Sequence, residues 1–234
     1  MIESNREIKK PSEKREIMPR FEASALRGYC VSVLTASGVE RSCAEAVADA
    51  LIDAELTGVS THGVSRLAVY MQRMDAGVMS RENNIRIVRE STSTLVVDAG
   101  NSLGAAAAKF AMERCIAKAK ETGCCFASVH SSNHFGTAAY YTRLAAAQDM
   151  IGFACTNLKG KIAPFGSAEP YMGTNPISVA APGRKISSTP SAFFSALISR
   201  DMAERADLNA AGSMKCAMSM APRKWLTPCG SSIT

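Results

Sequence analysis

The feature that most constrains this chain is a hydrophobic period that changes repeatedly between Ile85 and Asn157. IRIVRES (85–91) and STLVVDAG (93–100) are alternating or apolar runs of strand length. NSLGAAAAKFAMERCIAKAKETG (101–123) then repeats its apolar residues at helical spacing and stops at a glycine. CFASV, ending at Val129, returns to strand length; residues 137–148 read as a helix, and MIGFACTN (150–157) as a strand with a polar end. NPISVAAP (175–182) adds a further strand closed by Pro182. Before this alternation the pattern is helical throughout. FEASALRGYCVSVLTASG (21–38) predicts one helix. SCAEAVADALIDAELTG (42–58) predicts a second, with Ser42 and Glu45 at capping-box spacing and Gly58 as its stop. A third carries Leu67, Tyr70, Met71 and Met74 on one face. The expected class is therefore α/β, with a helical N-terminal portion.

Four segments follow. Residues 1–20 read as a flexible leader, 21–80 as a helical portion and 81–182 as an α/β portion. Residues 183–234 are different in kind, with nine serines and no sustained apolar period. SAFFSALISRDMAERADL could make one helix there, and the remainder reads as loop or disorder.

Bulk properties exclude several classes. Apolar residues make up 47% and charged residues 21% of the 234, as in soluble globular proteins. The N-terminus is polar and of mixed charge, without the apolar core of a secretory signal, so a cytoplasmic location is expected. The net charge is +6, but seven Lys/Arg against three acids place +4 of it after residue 182. The rest is near balance and offers no nucleic-acid surface. The eight cysteines form no C-x-x-C pair, and no Cys/His cluster has metal-ligand spacing. Buried free thiols and no metal are expected.

Two short stretches hold two of the three histidines, and the third, His130, immediately precedes the second stretch. In STHGVSR (60–66), His62 sits in a turn before a helix that places Arg66 and Tyr70 on one face, four residues apart. Arg can clamp a carboxylate bidentately, and His can exchange a proton near neutral pH. The plainer alternative makes Ser60 a helix cap and Arg66 a surface cation. In SSNHFG (131–136), His134 follows a strand and precedes a helix, with Asn133 supplying donors at the strand end. In α/β proteins ligands gather at such ends; the alternative is ordinary turn chemistry. TNLKGKIAPFG (156–166) and MGTNPI (172–177) each present Thr-Asn at a strand end, suited to phosphate or ribose or simply to turns. No G-x-G-x-x-G occurs, so a Rossmann fold has no support.

Taken in order, GVSTHGVSRL, VDAGNSLG, SSNHFGTAAYY, MIGFACTNLKGKIAPFG and EPYMGTNPISVAAP resemble the malate/L-lactate dehydrogenase family of the second type. The resemblance covers roughly Phe21 to Pro182. It implies a mixed-sheet nucleotide-binding domain distinct from the Rossmann fold, a cofactor that is NAD or NADP, and reduction of a small 2-oxo acid. A homodimer with active sites near the subunit interface is also implied. It implies that His62 and His134 are the catalytic candidates and that Ser60, Thr61, Arg66 and Tyr70 lie on the substrate side. Asn133, Thr156, Asn157, Gly173, Thr174 and Asn175 fall toward the cofactor. Thr61 replaces the family's usual serine and keeps the hydroxyl. The resemblance stops after Gly183, where DMAERAD (201–207) is only a superficial echo of a later family motif. A shortened chain with a divergent tail, and hence an incomplete nucleotide-binding portion, is the expectation. Two alternatives follow: a non-catalytic remnant of the family, and a small carboxylate-binding protein.

Overall fold

The computed structural model describes residues 20–183 and the backbone of residues 213–220. The leader and the helix read over 191–208 lie outside the described residues, apart from Arg20. Three helices open the chain: α1 (Ala23–Ala36), α2 (Arg41–Leu56) and α3 (Arg66–Asp75). Then follow β1 (Arg86–Glu90), β2 (Thr94–Asp98), α4 (Gly104–Thr122), β3 (Cys124–Ser132), α5 (Ala138–Ala146), β4 (Ile151–Thr156) and β5 (Ile177–Ala180).

A sixth strand, β6 (Ser213–Met220), corrects the loop reading of that stretch. It lies inside the sheet, whose order is β1-β2-β3-β6-β4-β5. Its strand state comes from ladders on both sides, antiparallel to β3 and to β4, which no local period announces. β2 pairs with β3 in parallel and the other pairings are antiparallel, so the sheet is mixed as expected.

Alternation on the strands supplies one buried face: Leu95 and Val97, Cys125, Ala127 and Val129, and Ala154. α4 packs on β2, β3 and β6, α5 on β4 and β5, and the two helices touch. α2 packs over both, with α1 against α2. Alanines make this layering close: Ala44, Ala48 and Ala54 of α2 and Ala107, Ala111 and Ala119 of α4 are fully buried. Gly152 shows how close, since a Cβ there would fall 2.4 Å from the Thr142 carbonyl oxygen of α5. Arg143 of α5 pairs with Asp53 of α2, and Arg27 of α1 with Asp49 of α2 at 2.6 Å.

The capping box at Ser42 is not formed. α2 starts at Arg41, one residue earlier, which puts Ser42 inside the first turn. Its hydroxyl donates to Glu40 Oε1 at 2.6 Å, and Glu45 pairs with Arg41 instead. Cys30, Cys43, Cys115 and Cys125 are buried free thiols as expected, whereas Cys124 is exposed.

Candidate active site

After α2, Gly58 takes a positive φ of 77° and the chain enters a 3-10 turn, Ser60–His62. Glu55 reaches across this turn, its Oε1 accepting the Val64 N–H at 2.8 Å. A Cβ on Gly63 would fall 2.0 Å from that oxygen, so the glycine after His62 makes room for the brace. Arg66 Nε donates to the Thr61 carbonyl at 2.6 Å, and the Thr61 hydroxyl lies 3.0 Å from His62 Nδ1. Ser60 does not cap α3, whose N-cap is Ser65; the Ser60 carbonyl instead accepts from the Ser65 hydroxyl at 3.2 Å.

The second histidine is held at the carboxyl end of β3. Asn101 N–H donates to the Ser131 carbonyl at 2.8 Å. The Asn133 amide donates to the Asn101 carbonyl and side-chain oxygens, each at 2.9 Å, and to the Ser102 carbonyl at 3.1 Å. A Cβ on Gly104 would meet the Asn133 carbonyl oxygen at 2.1 Å, so α4 begins hard against this loop. Phe135 stacks on Tyr141 with centroids 5.2 Å apart, and the Tyr141 hydroxyl donates to the Phe135 carbonyl.

The two stretches, far apart in sequence, meet. The His62 and His134 rings stack with centroids 5.4 Å apart and planes at 28°. The Tyr70 hydroxyl lies 2.8 Å from His134 Nδ1. Burial pushes the Tyr70 phenol up to about 12, against the opposing pull of Arg66 and Arg73. Burial, then the Arg66 charge, pushes the His62 imidazole below its ordinary value. The arrangement therefore joins two imidazoles and a protonated phenol, with a guanidinium one turn from the phenol.

The third histidine has a different setting. His130 Nδ1 sits 3.7 Å from Asp98 Oδ1 and 3.0 Å from the Ser131 hydroxyl. Asp98 also accepts the Gly100 N–H at 2.9 Å and pairs with Arg86 at 2.5 Å. The Gly100 N–H first, then Arg86 and His130, hold its carboxyl below the usual range.

Thr156, Asn157, Gly173, Thr174 and Asn175 gather where β4 ends and β5 begins. Asn175 Oδ1 accepts the Leu158 N–H at 2.9 Å, and a Cβ on Gly173 would meet the Leu158 carbonyl oxygen at 2.3 Å. β3 and β4 are both antiparallel to β6, so this end of the sheet is also the end that carries His134. Asn133, placed toward the cofactor by sequence, has its amide nitrogen bonded to the Asn101–Ser102 turn.

Sequence reasoning missed Glu55 and Thr137. Among the described residues, the Thr137 hydroxyl is buried without a hydrogen-bond partner at the start of α5, a helix without a side-chain cap. The only sequence signal was a threonine just before a helical run. This orphaned hydroxyl, one residue after the His134 loop, is the kind of group that fits a polar ligand such as a nicotinamide amide. A separate groove of about 390 Å³ on α2 and α4 is lined by Arg27, Asp49, Lys109 and Glu113, without any histidine. Its charges neutralise one another, Asp49 pairing with both Arg27 and Lys109.

The model of the malate/L-lactate dehydrogenase family matches residues 21–193. The chain belongs to this family. It is 41% identical over 155 residues to the L-sulfolactate dehydrogenase of Methanocaldococcus jannaschii, covering 66% of this chain and 45% of that one. It is 33% identical over 150 residues to the NAD(+) ureidoglycolate dehydrogenase of Escherichia coli O157:H7, covering 64% and 43%. The solved malate dehydrogenase of Pyrococcus horikoshii OT3 superposes with a TM-score of 0.71 at 36% identity, over 76% of this chain and 50% of that one. The chain thus spans about half the length of the curated relatives it matches. Among the described residues, no helix is long and apolar enough to cross a membrane and no group of His, Cys, Asp and Glu could hold a metal ion.

Proposed function

We propose that this chain is a 2-hydroxy acid dehydrogenase, reducing a small 2-oxo acid with NADH or NADPH. The observation that carries the reading is the meeting of His62, His134 and Tyr70 beside Arg66. The relatives named for malate, sulfolactate and ureidoglycolate support the substrate class, because each of those compounds sets a carboxylate beside a hydroxyl-bearing carbon. Relatives named for NAD(+) and for NADP(+) leave both nucleotides in play.

In this reading Arg66 clamps the substrate carboxylate, and its Thr61 contact aims the guanidinium. A reduced nicotinamide, when bound, supplies hydride to the carbonyl carbon. His134 faces the carbonyl oxygen, hydrogen-bonds it and passes a proton to it as it becomes a hydroxyl. His62 stays neutral beside it, because burial and Arg66 both disfavour its charge. Thr156, Asn157, Gly173, Thr174, Asn175 and the Thr137 hydroxyl would hold the nucleotide, with Asn133 shaping the loop they border. Ser60 and Thr61 would line the substrate side. The reading also carries a cytoplasmic homodimer.

The test is the absorbance of NADH and NADPH in the presence of purified chain and a panel of 2-oxo acids. Oxidation that disappears in His134→Ala is expected. A 2-oxo acid that binds while neither nucleotide is oxidised or bound would move the chain to the carboxylate-binding reading. Neither binding nor turnover from folded protein would leave the non-catalytic one.

A further inference from the structure

We propose that Tyr70 is a positioning residue for His134: it fixes the imidazole with its proton on Nε2, rather than contacting the substrate. The proposal rests on His134 being the group that faces the carbonyl oxygen. Three observations carry it. The Tyr70 hydroxyl is 2.8 Å from His134 Nδ1, across 64 residues of sequence. Tyr70 is only 3% exposed, so its hydroxyl has little water to turn to. And, among the described residues, Nδ1 is the one hydrogen-bond partner the structure gives that hydroxyl.

A neutral imidazole has one N–H, and the nitrogen that accepts a hydrogen bond is the bare one. Were Nδ1 the protonated nitrogen, two protons would point at each other or the phenol proton would be buried without an acceptor. Leaving a buried donor unmade is costly. The phenol therefore donates, Nδ1 accepts, and the imidazole proton sits on Nε2. Burial keeps the phenol protonated across the neutral range, so the lock holds there. A bare Nε2 would present a lone pair to a carbonyl oxygen and repel it; Nε2–H presents a donor. His62, stacked 5.4 Å away, limits rotation of the ring out of this setting. The second-sphere hydrogen bond to the other ring nitrogen is the general means by which proteins choose a histidine tautomer.

The test reads the tautomer directly, by long-range proton–nitrogen correlation on 15N-histidine-labelled protein, with the His134 signals assigned from the His134→Asn spectrum. Above its titration, wild-type His134 is expected to show a bare Nδ1 and a protonated Nε2. In Tyr70→Phe, which keeps the ring, the two nitrogens are expected to move toward a mixture. A bare Nε2 in the wild type, or no change in Tyr70→Phe, overturns the proposal whether or not the chain turns over any substrate. If Tyr70→Phe fails to fold, Tyr70→Met, which likewise lacks the hydroxyl, is read in its place, and a bare Nε2 in the wild type overturns the proposal on its own. Where turnover is measurable, Tyr70→Phe is expected to lower kcat on the order of 10-fold with KM for the oxo acid nearly unchanged. A raised KM at unchanged kcat would make Tyr70 a substrate contact instead.

Discussion

The loop that carries His134 and the loops between β4 and β5 end at the same edge of the sheet, yet they are built to different standards. The first is fixed by the three acceptors of the Asn133 amide, by α4 starting against the Asn133 carbonyl at Gly104, and by the Phe135–Tyr141 stack. Among the described residues, the second is held by Asn175 accepting from Leu158, by the Thr156 N–H donating to the Pro176 carbonyl and by the short Ile162–Met172 bridge. It exposes Leu158, Ile162, Phe165, Tyr171 and Met172. One side holds a proton-transfer group in advance of the substrate, where misplacement by an ångström is expensive in rate. The other, among the described residues, leaves apolar side chains open to solvent.

That contrast predicts where substitutions bite. The largest effect belongs to His134 itself: His134→Ala should lower kcat by about 10²- to 10⁴-fold, the usual weight of a positioned acid–base group. An unchanged kcat in a steady-state assay would remove the histidine from the proton path. Next comes Gly104→Ala. Its Cβ would meet backbone oxygen at 2.1 Å, which cannot rotate away. A loss of about 3 kcal/mol in urea unfolding is expected, at the top of the range for overpacking. Asn133→Ala should follow at about 2 kcal/mol, because it strips the donor from the Asn101 and Ser102 carbonyls. If Asn175→Ala, on the looser side, costs as much as Asn133→Ala in the same titration, the two loops do not differ as described.

Much of this was legible in the sequence, for a physical reason. Elements whose state is set by their own period, such as the alanine-rich α4 and the run at Thr94–Asp98, fall where the pattern puts them. Gly58, Arg66, Tyr70 and His134 could be singled out because turn glycines and paired functional groups leave local marks. What could not be read was long-range. β6 exists only through its partners on either side. Ser42 and Glu45 have capping spacing, but Glu40 and Arg41 compete for them. Asn133 has the residue type of a ligand contact, and only the fold shows Asn101 brought beside it from 32 residues away. The Tyr70–His134 bond is likewise invisible until the helical portion folds back on the sheet.

The two stacked histidines sharpen the same comparison through pH. His62 binds its proton less readily in the folded chain than its ordinary value of 6.5, through burial and then Arg66. Below pH 6.5 the unfolded chain thus takes up more protons at this position than the folded one. Stability contributed here is present above that pH and is lost as pH falls further. Wild-type protein should therefore lose more stability between pH 7.5 and pH 5 than His62→Gln does, as read from urea midpoints. An identical loss in both would mean that the ring is solvated in either state and is not packed against His134.

The smallest effect is expected at Phe165, on the open side. Its ring is fully exposed and packs on nothing among the described residues, so removing it deletes no buried contact. Surface substitutions of this kind fall within about 0.5 kcal/mol of zero. Phe165→Ser should leave the urea midpoint and its slope unchanged, while Phe135→Ser, which removes an equally large ring from under Tyr141, should not. The pair isolates position from side-chain type, since the same exchange is made at both ends of one sheet edge. A clear fall in stability for Phe165→Ser would show that this ring is covered in solution, and the open side of the comparison would then be a second packed one.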